Sequence, residues 1–149
     1  MSPRRDRIRK IVAIRQRELD ERRTHLEQRR AAAQAAARQA EAERDKLRQA
    51  VERRAELARA ELNAADFSDA QEWLLARSAG LETALVEASS AEREVDAARA
   101  SLVEAHSKLK RLDKLDQRLA SQETAEQERR QNRLHDELAA NRFRRTRQS

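Results

Sequence analysis

Six residues of the first third of the chain, Val12, Leu19, Leu26, Ala33, Ala40 and Leu47, stand seven apart without a break. A seven-residue apolar repeat is what a left-handed helical supercoil requires, and no strand or irregular segment produces it. The second half repeats the pattern in two rows. One is Leu81, Ala88, Val95, Leu102 and Leu109; the other is Ala84, Ala91, Ala98, Ala105, Leu112 and Leu119.

Composition narrows the choice further. Ala, Glu, Lys, Leu and Arg supply 96 of the 149 residues, with one Gly and one Pro. A content above roughly half in these five residues marks a coiled coil or long helix. Strand and turn formers are scarce, which excludes a β-rich fold, and the Gly-rich turns of a doubly wound enzyme are missing. Leu, Ile, Val and Phe number only 26, too few for a broad globular core. No stretch approaches the roughly 18 apolar residues of a membrane span, and the first residues lack a signal peptide's apolar core. With no Cys, disulfides and thiolate metal sites are excluded, and a cytoplasmic location is expected.

Three features punctuate the chain: Pro3, the stretch from Asn63 to Asp69, and Gly80. Ser68 with Gln71, or Asp69 with Glu72, has capping-box spacing for a second helix. The expected fold is therefore all-α, a single antiparallel coiled-coil hairpin over residues 1–149. Helix 1 covers about 5–63, a turn 64–69, helix 2 about 70–142, and a basic tail 143–149. Gly80 is expected to weaken helix 2. Folding the chain back pairs Val12 with Leu119, Leu19 with Leu112, Leu26 with Ala105 and Leu47 with Ala84, with the axis between Ala65 and Asp66. The seam is thin, because a second row on helix 1 is read as Arg23, Arg30 and Arg44, whose stems cover apolar surface. This register leaves everything from Glu128 onward overhanging, without a partner on helix 1.

Charge is distributed unevenly. Residues 1–30 carry 11 basic and 5 acidic groups, and residues 108–149 carry 12 and 7, so the end holding both termini has a net +11. Residues 31–107, with 10 basic and 15 acidic groups, have a net −5.

Catalysis is not expected. His25, His106 and His135 lie far apart and form no metal-ligand pair at helical spacing. The expected hairpin brings His25 level with His106, which is read as two solvated imidazoles. The many carboxylates belong to solvated faces, since two helices enclose no cavity that would raise a carboxyl pKa. No Gly loop is present to cradle a phosphate. The basic runs Arg4–Lys10 and Arg142–Arg147 raise nucleic-acid binding as a possibility, but acidic residues interleave and stacking aromatics are scarce, so specific binding is not expected. The Ile8–Ile11–Val12 face among arginines has two further readings: an anionic membrane surface or a protein partner, against its plain reading as the first heptad of the hairpin. Leu134, Leu138 and Phe143 are the large apolar residues of the overhang, and Leu134 and Leu138 share one face. They are read as a binding face, since nothing on helix 1 covers them.

Four segments resemble the FliJ family of flagellar type III export and its injectisome counterparts of the YscO type. They are Arg7–Arg15, leading into a long heptad helix; Phe67–Leu75, the aromatic and leucine start of the second helix; Lys110–Arg118; and Glu128–Ala139, which ends in Asp136-Glu137-Leu138-Ala139. The resemblance implies a non-enzymatic stalk and chaperone component without cofactors, similar to the central stalk of rotary ATP synthases. It implies that the terminal end enters the hexameric export ATPase, with Ile8, Ile11, Arg129, Arg130, Arg133, Leu134 and Leu138 as the contacts. It further implies an export-gate membrane protein as a second partner, met by Phe67, Trp73, Leu74 and Arg77, and export chaperones as occasional cargo. The location implied is cytoplasmic, peripheral at the inner membrane face, with membrane association only through partners. The rival reading is a generic coiled-coil scaffold or homodimer unrelated to secretion.

Overall fold

A computed structural model describes residues 2–60 and 63–148. It has two helices, α1 (Pro3–Arg59, 57 residues) and α2 (Ala64–Gln148, 85 residues), and no strand among the described residues. This is the all-α helical hairpin that the heptads require. The chain divides into two compact units, residues 1–19 with 105–149, and residues 20–104. In each, a segment of α1 runs antiparallel to a segment of α2.

Local chemistry sets the helix starts. The Ser2 hydroxyl accepts a hydrogen bond from the Arg5 amide at 3.3 Å, and the Ser2 carbonyl accepts one from the Asp6 amide at 3.1 Å. Pro3 occupies the first helical position, where a missing N–H costs nothing. At α2, Asn63 Oδ1 accepts from the Asp66 amide at 2.9 Å, and the Asn63 carbonyl from the Phe67 amide at 3.3 Å.

The expected turn at 64–69 is therefore corrected: those residues are the first six of α2. Asn63 caps earlier than Ser68 or Asp69, and the two alanines behind it are the strongest helix formers available. The expected end of helix 1 falls on residues 60–63, where α1 has already stopped at Arg59; residues 61 and 62 lie outside those described. The expected basic tail is corrected too. Residues 143–148 continue α2, with Arg145 and Arg147 in the last turn, where cations offset the helix dipole. Residue 149 lies outside the described residues.

Moving the turn shifts the register by about one heptad. In the unit of residues 20–104, Arg22 Nη1 donates to the Ser101 carbonyl at 2.9 Å, Arg29 pairs with Glu94 at 2.9 Å, and Glu43 lies against Gly80. The register expected from the heptads places those three opposite residues 109, 102 and 88. Its core gathers Leu26, Ala33, Val95 and Ala98, flanked by Ala91 and Leu102.

The burial pattern on α2 follows the two rows read from the sequence. On α1 the second row differs from expectation. Ile8 and Ala50 are buried and Arg15, Arg22, Arg29, Ala36, Glu43 and Leu57 half-buried, whereas Arg23, Arg30 and Arg44 are exposed. This row follows the first by three residues rather than four, and it is the more apolar of the two choices. Turning α1 this way buries Ile8, Ala50 and Leu57 and leaves the stems of Arg22 and Arg29 to cover the seam.

Candidate partner-binding surfaces

In the unit of residues 1–19 and 105–149, the α2 seam row that runs from Leu81 to Leu109 continues into Asp116 and Glu123. Both carboxylates receive Arg5: its Nε donates to Asp116 Oδ1 at 3.1 Å and its Nη1 to Glu123 Oε2 at 3.2 Å. Hydrogen bonding from Ser2, followed by Arg5, holds the Glu123 carboxyl below its ordinary range, against a smaller opposing effect of desolvation. The same contacts, Asp116 first, raise the Arg5 guanidinium further above its already high value. This clasp marks where pairing ends.

Beyond it, every described residue of α2 from Glu126 to Gln148 is exposed, a length of roughly 33 Å at ~1.5 Å per residue. Leu134, Leu138 and Phe143 are 58, 57 and 65% exposed. Leu134 and Leu138, four apart, share one face with Arg130 one turn before and Arg142 one turn after. That face is not a continuation of the seam. The seam rows run on through Arg133 and Glu137, and each leucine is one residue further, about 100° around the helix. Phe143 lies on the opposite side from Leu134, with the Arg147 guanidinium 5.7 Å from its ring centre. Arg129 and Arg133, four apart, form a second basic strip beside the leucines.

Of the residues expected beside this overhang, Ile11 is exposed but Ile8 is not. Ile8 is 7% exposed because its heptad position faces α2. Its expected role as a surface contact is thereby corrected; Ile8 is a core residue. Ile14, not among the expected contacts, is 55% exposed, as its position on the outer side of the heptad dictates.

In the unit of residues 20–104, Phe67 and Trp73 are exposed and each carries an arginine. The Arg54 guanidinium lies 5.4 Å from the Phe67 ring centre, and Arg77 lies 5.9 Å from that of Trp73. Such cation–π contacts contribute about 0.5–1 kcal/mol at exposed sites. A shallow groove beside Trp73 is lined by Arg53, Leu57, Asp66, Asp69 and Ala70. Leu74 and Arg77 are half-buried seam residues, so the accessible surface of this group is chiefly Phe67 and Trp73, with Leu75 also exposed.

His25, His106 and His135 are exposed. Among the described residues, no group of three or more His, Cys, Asp or Glu is placed to hold a metal ion. No helix among them is long and apolar enough to cross a membrane.

Two paired helices, a thin alanine-rich seam and an uncovered helical extension define an antiparallel coiled-coil hairpin. More specifically, the chain belongs to the FliJ family: the family described as "Flagellar FliJ protein" matches residues 4–148. Membership makes it a component of the flagellar export apparatus. No curated protein and no solved structure shows a match.

Proposed function

We propose that this chain is a non-enzymatic stalk and chaperone component of flagellar-type export. Its overhanging end inserts into the pore of the hexameric export ATPase, and the hairpin links that ATPase to the export gate. The observation that carries the reading is the exposed extension of α2, with Leu134 and Leu138 uncovered on a face turned away from the seam. Exposed leucines on a single helix have no core to join, and a surrounding protein ring buries them. Arg129, Arg130 and Arg133 flank the leucines and suit an acidic rim around an apolar pore. Ile8 holds the neighbouring pairing together from inside. Phe67 and Trp73, supported by Leu74 and Arg77, form the gate-side surface, and export chaperones are further partners. The protein acts in the cytoplasm, at the inner membrane face through its partners.

The test adds the full chain to the export ATPase of the same organism and follows hydrolysis rate and ring size together. Stimulation by the native chain should be lost on Leu134→Ala with Leu138→Ala, with helicity unchanged. Equal stimulation by the double variant would refute the overhang as the contact. No stimulation by the native chain, with the chain itself dimeric, would leave the scaffold reading.

A further inference from the structure

The unit of residues 1–19 and 105–149 holds 19 basic and 9 acidic groups, a net +10, against −4 for residues 20–104. Part of that charge lies on one outward face of α1. Arg4, Arg7, Lys10, Ile11, Ile14 and Arg17 fall within an arc about 140° wide at 100° per residue, and all six are exposed. Ile14, 55% exposed, sits near the middle of the arc, and Ile11, 42% exposed, lies toward its Arg4 edge, with the cations around them. Arg118 of α2 extends the basic surface, since it lines the same groove as Arg4.

Five acidic groups lie near this face, and two of them are engaged by named neighbours. Glu18 pairs with Arg15 at 2.9 Å, Glu123 is held by Ser2 and Arg5, and Asp6 lies at the margin of the arc. Glu126 shares the groove of Arg4 and Arg118. Glu21, one turn beyond Arg17, ends the basic stretch.

We propose that this face of α1 docks on an anionic membrane surface, with Arg4, Arg7, Lys10 and Arg17 meeting lipid headgroup phosphates and Ile11 and Ile14 entering the acyl boundary. Charge complementarity selects the anionic partner. The aliphatic pair selects lipid over nucleic acid: a polyphosphate backbone offers nothing to bury two isoleucines, and the face has no aromatic residue to stack on a base. Its convex form suits a flat headgroup layer better than a cleft. The site shares Ile11 with the ATPase contacts that the family resemblance implies but no leucine of the overhang, so the Leu134→Ala with Leu138→Ala variant separates the two readings.

The test is co-sedimentation of the full chain with vesicles of equal parts phosphatidylglycerol and phosphatidylcholine, and with phosphatidylcholine alone, at physiological salt. Partitioning is expected only to the anionic vesicles and should weaken with added salt. Ile11→Gln with Ile14→Gln should lower it about tenfold although no charge changes, because the buried aliphatic area is lost. Arg7→Glu with Lys10→Glu should lower it at least as far. Leu134→Ala with Leu138→Ala should leave it unchanged. Helicity by circular dichroism is read for each variant, and the charge-reversed pair decides the matter if the isoleucine pair loses structure. Absence of partitioning by the native chain overturns the proposal. So does equal partitioning by the isoleucine variant with displacement by duplex DNA, which would make the face a nucleic-acid surface.

Discussion

Arg5, in the first turn of α1, reaches Asp116 of α2 at 3.1 Å, so the helices are tied together by charge where their apolar rows run out. The same guanidinium holds Glu123, one heptad further along α2. Beyond that residue α2 continues alone, and the clasp therefore defines the boundary between paired and unpaired helix.

The clasp has a pH signature. The folded-state pKa of Glu123 is depressed, with Ser2 and then Arg5 as the favourable contacts. A depressed carboxyl stabilises the folded state above its unfolded value, near 4.5, and that contribution is lost as pH falls through the lower folded value. Arg5 stays charged throughout this range, its pKa being raised by Asp116 and Glu123. Native-state hydrogen-exchange protection factors of residues 2–19, corrected for the intrinsic rate at each pH, should therefore fall below about pH 4.5, at the acid end of the stability profile. Glu123→Gln should flatten that limb while leaving exchange in residues 20–104 unchanged. A native-like acid limb in the variant would assign the effect to other carboxylates. The pair is partly exposed, so salt should weaken it.

The alternation of seam residues on α2 was fully legible, because Ala84, Val95, Ala98 and Ala105 bury themselves in the rows that their spacing defines. Register was not. A chain with a seven-residue repeat packs nearly as well when slipped by seven, so pairing Leu26 with Ala105 or with Ala98 satisfies the same pattern. The turn decides, and it is set by one asparagine whose competitors Ser68 and Asp69 have equally good capping chemistry. The α1 row was misassigned for a related reason. Arginines occur both three and four residues after the leucines, and only the ends of the row, Ile8 and Leu57, show which set turns inward. The overhang was legible because it depends on helix lengths more than on register.

Asn63 should consequently control register. Asn63→Ala removes the acceptor of the Asp66 amide and should destabilise the hairpin by about 1 kcal/mol. Its more specific effect concerns where α2 begins, since Ser68 and Asp69 remain as caps for a start near residue 70. Distances between spin labels at positions 22 and 101 report the result. A lengthened distance in the variant is the expected outcome for a population slipped by one heptad. An unchanged, single distance would mean that the seam itself fixes the register.

Gly80 is the last test of how tightly α2 is held. A glycine inside a helix costs about 1 kcal/mol relative to alanine. Here a Cβ would meet Glu43 Oε2 at 3.0 Å, with Glu43 Cδ next at 3.7 Å. The obstructing atom is the end of a flexible side chain whose other oxygen, Oε1, accepts from Lys46 at 3.3 Å and from Gln39 at 3.2 Å, which leaves Oε2 to move a few tenths of an ångström. The helix propensity gain should outweigh that displacement, and Gly80→Ala should stabilise the chain by about 0.5–1 kcal/mol in urea unfolding. Gly80→Val tests the steric limit. Its two branches press on the same carboxylate and lose rotamer freedom, so it should give back most of the gain. If alanine instead destabilises, Glu43 is pinned more firmly than its partners imply, and the glycine is required for close helix approach.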